Sequence, residues 1–192
     1  MNIQEKFQAL QTLIQEASAD ARVYFDSEDF SNEAKADGSV VTEIDQRIER
    51  KLRNFIDEHF PGDEIVGEEE DNKPGTSGFV WHIDPIDGTD NFLRKIPFCA
   101  ISVARLGDMS EDSFGIVHNP VTNHTFASLM EAGSYENSVR VRVTPEPLGT
   151  KYVIGLGRSR KEDWMVPAGF ALQKALKTKY GRCQPYGCTA LE

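Results

Sequence analysis

Three groups of acidic residues have the side-chain chemistry and the spacing of ligands for a divalent metal ion. Glu68 lies in the run Gly-Glu-Glu-Glu, Asp84 and Asp87 lie in the run Asp-Pro-Ile-Asp-Gly-Thr, and Asp45 ends the run Val-Thr-Glu-Ile-Asp. Hard cations such as Mg²⁺ prefer carboxylate and carbonyl oxygens as ligands. These residues therefore indicate a magnesium site built from separate stretches of the chain.

The run that begins at Asp84 combines metal ligands with a phosphate-binding turn. Asp84 follows an apolar strand, and the proline after it fixes the backbone, so we expect its carboxylate and that of Asp87 to converge at a sheet edge. Without a cation the two carboxylates would repel each other. The Ile86 carbonyl can add an oxygen ligand. Gly88 and Thr89 offer backbone amides at the start of a predicted helical turn, which is a common site for phosphate.

An Asx-rich turn is the alternative interpretation of this run. Its aspartates would then accept hydrogen bonds from nearby backbone amides and bind no metal. The preceding apolar strand, the paired acids and the Gly-Thr step favour the metal site.

Two helices and a series of strands must position these residues. Apolar residues at helical spacing predict a helix over about residues 3–27, and Thr42 is predicted to cap a second helix with Asp45 as its capping-box acid. Short strands are predicted at 64–67, 79–83, 98–106, 113–118, 124–130 and 139–143. Their short connections favour antiparallel neighbours. Helices followed by strands indicate an α+β fold.

The carboxyl-terminal stretch changes character. A strand at 152–157, a helix at 161–179 and a strand at 182–186 are predicted, which is the opening of an alternating α/β unit. We therefore expect a metal-binding α+β domain over 1–147 and the incomplete start of a second, α/β lobe over 148–192.

The net charge of −10 on 192 residues bears on the class of ligand. Such acidity argues against nucleic acid, whose phosphates need Lys and Arg. It also opposes any other phosphorylated ligand unless bound metal reverses the local charge. No apolar run is long enough to cross a bilayer, and the amino terminus lacks a signal-peptide pattern, so we expect a cytoplasmic protein without membrane contact. The three cysteines, Cys99, Cys183 and Cys188, are predicted to be free thiols.

The segment 81–92, Trp-His-Ile-Asp-Pro-Ile-Asp-Gly-Thr-Asp-Asn-Phe, closely resembles the first motif of the inositol monophosphatase family of magnesium-dependent, lithium-sensitive phosphatases. Four further segments are similar to family patterns. They are Gly-Glu-Glu at 67–69, the Lys…Val-Thr-x-x-Asp segment at 35–45, Gly-Ile-Val-His-Asn-Pro at 115–120 and Gly-Cys-Thr-Ala-Leu at 187–191.

The resemblance implies a set of metal ligands. Glu68, Asp84 and the Ile86 carbonyl would hold the first ion, and Asp84 and Asp87 would hold the second. The family uses roughly two or three Mg²⁺ ions, for which Mn²⁺ can substitute. The partner implied is a small phosphorylated metabolite, and the full-length protein is expected to be a homodimer.

The resemblance also implies catalytic roles. Gly88 and Thr89 would bind the substrate phosphate through backbone amides. Glu68 and Thr89 would position and deprotonate a metal-activated water that attacks phosphorus directly. Asp45 would not bind the metal itself but would support Thr89 and the metal-bound waters. The implied reaction is hydrolysis of an inositol monophosphate-like ester; histidinol phosphate, a sugar bisphosphate or adenosine 3′,5′-bisphosphate are the alternative substrates.

The implied fold is the family's layered α-β-α-β sandwich, an antiparallel sheet with paired helices, whose second lobe is cut short here. Members usually carry a later Trp-Asp-x-Ala-Ala-Gly motif that supplies another aspartate to the second metal, and this sequence has none. The alternative function is therefore a truncated, catalytically weak or inactive member that retains metal binding or subunit contacts.

Three histidines lie in or near the predicted strands of the site and have a structural alternative to ligand binding. His82 is expected to be a packed strand residue beside the site, and His118 and His124 are expected to lie in a surface turn.

Overall fold

The computed structural model describes residues 1–27, 32–34, 40–108, 112–130, 132–142, 152–155, 181–184, 188 and 190. The helices are α1 (Ile3–Asp26), α2 (Glu43–His59) and α3 (Thr89–Leu93). The strands are β1 (Asn32–Ala34), β2 (Val40–Thr42), β3 (Glu64–Val66), β4 (Phe79–Asp87), β5 (Ala100–Gly107), β6 (Phe114–Asn119), β7 (His124–Leu129), β8 (Gly133–Glu136), β9 (Val139–Val141), β10 (Tyr152–Gly155) and β11 (Gly181–Gln184). The predicted helix at 161–179 and positions 35–39 of the family-like segment at 35–45 lie outside the described residues.

Both long helices begin with a capping box. In α1 the Glu5 amide donates to the Asn2 side chain at 2.9 Å, and the Asn2 amide donates to the Glu5 carboxylate at 2.9 Å. In α2 the Thr42 and Asp45 side chains cap each other's backbone amides, as predicted. Such boxes satisfy amides that have no partner within the helix. Among the described helices none is long and apolar enough to span a membrane.

An apolar stripe on each helix faces the sheet. The buried residues of α1 are Leu10, Ile14, Ala17, Ser18, Ala21 and Phe25, and those of α2 are Ile44, Asp45, Ile48, Glu49, Leu52, Arg53 and Ile56. Their spacing of three and four residues places them on one side of each helix. Helix α1 packs against α2 and β6, and α2 packs against β4. Three ionisable residues lie on the buried side of α2, which is unusual for a helix of this kind.

The seven strands from β3 to β9 form one sheet in chain order, and the predicted α+β class is confirmed. Neighbours are antiparallel except β3 and β4, which are parallel. The expectation of antiparallel neighbours was wrong at this pair. Lys73 and Ile65 exchange two backbone hydrogen bonds of 2.9 Å, so the chain turns back once beside β3 before β4 runs parallel to it. Strands β8, β1 and β2 were not predicted.

Strand β4 continues beyond its predicted end, and this changes the placement of Asp84. The strand runs through Asp87 rather than stopping before Asp84, which pairs with Ser102 on β5. The next pair joins Asp87 to Ala100, so β4 holds one residue more than β5 over this interval. Such a bulge accommodates Pro85, which cannot donate to a neighbouring strand. Asp84 therefore lies within a strand next to a bulge, not at a strand end.

A buried hydrogen-bond network around Asp63 supports the part of β4 that precedes Asp84. Asp63 accepts hydrogen bonds from the Trp81 indole at 2.9 Å, the Arg105 guanidinium at 2.7 Å and the Ser77 hydroxyl at 2.6 Å. Burial opposes ionisation of Asp63, but these donors outweigh it and lower its pKa. The Arg105 guanidinium also lies 3.5 Å from the centre of the Phe79 ring. The network fixes β4 and β5 at the end remote from Asp84.

The short strands β10 and β11 pair in parallel. Both had been predicted, at 152–157 and 182–186, and parallel pairing fits the predicted α/β unit because it requires a long crossover connection. The division into domains at 147 and 148 stays a prediction.

Two of the histidine predictions were wrong. His118 is buried, with its ring nitrogens 2.8 Å from the hydroxyls of Ser18 and Thr125, and burial lowers its pKa. His82, expected to be packed, is exposed. Cys99 and Cys188 are buried and are not disulfide-bonded, as predicted.

Candidate active site

Four acidic residues meet where the start of α2, the loop after β3 and the end of β4 come together. The pKa of Asp84 is raised to about 9 by its burial first, and then by the negative charges of Glu68, Asp87 and Asp45. A hydrogen bond with the Glu68 carboxyl raises it further. The mutual influence of these carboxylates shows that the structure brings together residues that are far apart in the sequence.

The Asp84 carboxylate has an oxygen suited to a cation. Its Oδ1 atom is buried and has no hydrogen-bond partner among the residues that the structure describes. Buried polar atoms are rarely left without a partner, and an isolated buried charge is costly. A hard divalent cation would satisfy this oxygen and remove the repulsion between Asp84 and Glu68. The donor set therefore fits such an ion.

The carboxylates do not enclose an ion by themselves. No group of three His, Cys, Asp or Glu side chains in the described part of the chain forms a metal cage. This agrees with the behaviour of Mg²⁺, which is usually held by one or two carboxylates and keeps several waters. The Ile86 carbonyl, proposed as a further ligand, accepts a hydrogen bond from the Thr89 hydroxyl at 3.0 Å. A carbonyl oxygen has a second lone pair available.

The turn from β4 into α3 depends on a glycine. Gly88 has φ of 85° and ψ of 39°, a left-handed conformation that residues with a side chain adopt at a cost. It is the N-cap of α3, which confirms the predicted helical turn. The buried Phe92 ring anchors this helix, and its amide donates to the Gly88 carbonyl at 2.9 Å. Thr89 is thereby placed at the first position of α3.

Asp45 is held by the residue that it caps. Its carboxylate accepts hydrogen bonds from the Thr42 amide at 3.0 Å and from the Thr42 hydroxyl. Burial outweighs these bonds and, with the charges of Glu69 and Glu68, raises the pKa of Asp45 to about 7. The hydrogen bonds that the structure describes for Asp45 go to Thr42, and none of them is to Thr89.

A model of the inositol monophosphatase family matches residues 2–192. This chain belongs to the inositol monophosphatase family. Inositol monophosphatase 1 of Mus musculus is 35% identical over 130 residues, covering 65% of this chain and 47% of the mouse protein. The Nus factor SuhB of Haemophilus influenzae is 30% identical over 160 residues, covering 82% of this chain and 59% of that protein. The chain spans roughly half of the length of these curated relatives.

Solved structures confirm that the fold is the layered fold of this family. The chain superimposes on a Thermotoga maritima IMPase with a TM-score of 0.81 and 26% identity, over 97% of this chain and 70% of that one. It matches an IMPase/NADP phosphatase complexed with Mg²⁺ and phosphate with a TM-score of 0.77 and 16% identity, over 98% and 69% of the two chains.

An open cleft of about 340 Å³ lies beside the carboxylates of this family member. It is lined by Val66, Gly67, Glu68, His82, Ile83, Asp84, Ser102 and Ala104. Its size is at the lower end of the range for small-molecule sites. The exposed His82 imidazole shares this cleft with Asp84 because the two residues lie on the same face of β4.

Two contacts at the site were missed in the sequence. The Ala190 amide donates a hydrogen bond to the Asp87 carboxylate. This contact brings Ala190, from the family-like segment at 187–191, to the site. The buried Glu49 carboxylate accepts hydrogen bonds from the amides of the loop that carries Glu68. The signal for Glu49 was an acidic residue at the buried spacing of α2, four residues after Asp45.

Proposed function

We propose that this protein hydrolyses a small phosphate monoester with the help of bound Mg²⁺. The observation that carries the proposal is the Asp84 carboxylate. Its Oδ1 is buried without a hydrogen-bond partner in the described part of the chain, and burial and three other acids raise its pKa. Among the described ion pairs none brings Lys or Arg to Asp84 or Asp45. A cation from solution is the simplest means to neutralise this cluster.

Each proposed ligand is supported by its position. Glu68, Asp84 and the Ile86 carbonyl would hold one ion, and Asp84 and Asp87 a second, with roughly two or three Mg²⁺ ions in all and Mn²⁺ as a substitute. Bound divalent metal supplies an activated water nucleophile and neutralises charge on the phosphate. The Ala190 amide holds the Asp87 carboxylate in place.

The remaining residues bind phosphate and handle the proton. The first amides of a helix have no acceptor within the helix, so those of Gly88 and Thr89 are suited to the phosphate oxygens. Glu68 and Thr89 would together position the metal-activated water and deprotonate it. Asp45, bonded to Thr42, supports this group from the start of α2. The contribution of the chain is mainly positioning and charge neutralisation, as in other phosphoryl transfers.

Inositol monophosphate is the first substrate to test. The relatives are named as several phosphatases, among them a histidinol-phosphatase of Chlorobaculum parvum with 31% identity over 121 residues. Another is a fructose-1,6-bisphosphatase/inositol-1-monophosphatase of Thermotoga maritima. Histidinol phosphate and a sugar bisphosphate are therefore alternatives, and adenosine 3′,5′-bisphosphate is a third candidate that neither of these two names bears on. Lithium sensitivity, a cytoplasmic location and homodimer formation by the full-length protein belong to the same proposal.

Phosphate release from these four classes of ester tests the proposal. We expect release with Mg²⁺, none with EDTA, and inhibition by Li⁺. The Asp84→Asn variant provides the negative control. Release that is unaffected by EDTA, or equal in the variant, would contradict the proposed site.

A second candidate is a catalytically weak or inactive member that still binds metal. Within residues 1–192 the two tryptophans, Trp81 and Trp164, are not followed by Asp, so these residues by themselves supply no Trp-Asp aspartate to the second ion. Calorimetric titration with Mn²⁺ separates the two candidates. Binding without phosphate release from any ester would support the second one.

A further inference from the structure

The Glu49 carboxylate on α2 is fully buried and is saturated with donors. Its Oε2 accepts from the amides of Glu68 at 3.1 Å and Glu69 at 2.8 Å. Its Oε1 accepts from the Glu70 amide at 3.1 Å and from Arg53 Nε at 2.8 Å. A carboxylate can accept about four such bonds, so the full capacity of Glu49 is used to hold one short loop and one arginine.

Arg53 completes this arrangement from the next turn of α2. Its Nη2 lies 2.8 Å from Glu49 Oε1 and donates to the Glu70 carbonyl at 3.0 Å. The guanidinium therefore neutralises the buried carboxylate and also holds the far end of the same loop. A buried charge pair is favourable only when its geometry is good and its remaining hydrogen-bonding groups are satisfied, and this pair meets both conditions.

Gly67 shows how closely the loop is pressed onto the pair. A Cβ atom at this position would lie 2.1 Å from Glu49 Oε1 and 2.6 Å from Arg53 Nη2. No side chain fits there unless Glu49 or the loop moves. The residue immediately before Glu68 is therefore a glycine for a steric reason.

We propose that Glu49 is a positioning residue for the metal site, acting through the backbone of residues 68–70. By fixing three consecutive amides, it holds the Glu68 carboxylate next to Asp84. The inference rests on the proposed function, in which Glu68 is a metal ligand. Loops hold ligands less accurately than helices or strands do, so a ligand on a loop needs such support.

The Glu49→Gln variant tests this positioning role. The amide group of glutamine sets a donor against the loop amides or Arg53, while the size of the side chain is unchanged. We expect Mn²⁺ affinity, measured by calorimetry, to fall about 10–100-fold, the usual effect of losing a group that orients a ligand. We also expect faster hydrogen exchange at the amides of 68–70 in the metal-free variant, a readout that requires no metal and no activity.

Asp63→Asn is the matched control. It also removes one negative charge from a buried acid–arginine pair, but this pair lies at the other end of β4. We expect it to lower thermal stability while the affinity for Mn²⁺ stays within about twofold of wild type.

Gly67→Ala tests the same role without changing the charge. Its Cβ should displace Glu49 or the loop, so Mn²⁺ affinity should fall in this variant as well. Gly62→Ala is its control, because a Cβ there would meet its nearest atom at an ordinary 3.6 Å. Gly67→Ala also decides the question if Glu49→Gln does not fold.

The outcomes separate the two proposals. If wild type binds Mn²⁺ and Gly67→Ala binds it equally well, positioning by Glu49 is refuted, and any effect of Glu49→Gln is one of charge alone. The proposed metal site would then still stand. If wild type itself binds no Mn²⁺, the proposed function fails, and this inference fails with it.

Discussion

Glu49 and Asp63 are buried carboxylates that the chain neutralises by itself, whereas Asp45 and Asp84 are not neutralised in this way. Arg53 pairs with Glu49 and Arg105 with Asp63, and hydrogen bonds from other donors complete both networks. The pKa of Asp63 is lowered in consequence, while burial and neighbouring acids raise that of Asp84 to about 9 and that of Asp45 to about 7. The difference separates the acids that the chain pairs with arginine from the acids of the candidate active site.

The two kinds of carboxylate have opposite effects on stability. A buried carboxylate paired with arginine stabilises the fold as long as both partners remain. A cluster of acids without a cation costs free energy, a common feature of functional sites. Metal that binds only the folded chain would recover this free energy. We therefore expect variants of the arginine-paired acids to lose stability and variants of the site acids to lose hydrolysis.

The largest effect is expected from Asp84→Asn, which alters the acidic cluster at the candidate metal site. Hydrolysis should fall by more than about a hundredfold, since losing groups that merely support metal ligands already costs about 10–100-fold. The metal-free variant should nevertheless be more stable to urea than wild type at neutral pH, by more than about 1.4 kcal/mol, the equivalent of one pKa unit. Asparagine stays neutral when it is buried beside Glu68 and Asp87, whereas Asp84 must take up a proton on folding.

The matching variant of an arginine-paired acid, Asp63→Asn, should have the opposite effects on hydrolysis and stability. We expect it to keep its hydrolysis within about twofold of wild type and to lose stability. Near-normal turnover of Asp84→Asn in Mg²⁺ would show that Asp84 is not a metal ligand, and the contrast with Asp63 would no longer hold.

A loss of stability alone is expected from Asp63→Ala. It leaves the Arg105 guanidinium buried without its carboxylate, and breaking such a pair typically costs about 3–5 kcal/mol. Urea unfolding in EDTA measures this loss. The increase in melting temperature on adding Mn²⁺ should match that of wild type, because the altered residue lies away from the metal site. A smaller increase would show that the two networks are coupled.

The two kinds of carboxylate should also respond oppositely to pH. Asp63 has a lowered pKa, so its contribution is complete above the ordinary value near 3.9 and is lost as pH falls below it. Asp84, with a pKa of about 9, holds a proton in the folded state that the unfolded chain releases above about pH 4. Stability of the metal-free protein should therefore fall as pH rises from about 4 to 9.

Urea unfolding in EDTA at about pH 5, 7 and 9 measures this response. The stability advantage of Asp84→Asn over wild type should grow with pH, since the variant lacks the titrating group. If this difference in stability did not change with pH, the pKa of Asp84 in the folded protein would not be raised.

Local patterns in the sequence predicted much of the fold. The helix from Ile3 and the Thr42–Asp45 capping box follow from neighbouring residues, and both were found. The parallel pairing of β3 with β4 and the bulge after Asp84 were not predictable in this way. Both depend on where the chain returns to the sheet, which no short pattern encodes.

The candidate site was predictable to a similar extent. The ligand types at 84–89 were visible because strand, turn and acids lie together in one run. Glu49 was missed because its partners, the amides of 68–70, come from a loop that approaches α2 only in the folded chain. His118 was misplaced because its partner Ser18 lies on a distant helix.

The smallest effect is expected from Thr42→Val, which removes one of the hydrogen bonds described for the Asp45 carboxylate. The variant keeps the shape of the side chain but removes the hydroxyl that caps α2 and donates to Asp45. Loss of such a cap costs about 1 kcal/mol, which urea unfolding can resolve. Thr42→Ser keeps the hydroxyl and should stay near wild type. If Thr42→Val lost several times that amount of stability, Asp45 would belong with Glu49 and Asp63. Its carboxylate would then stabilise the fold through a partner that the chain supplies.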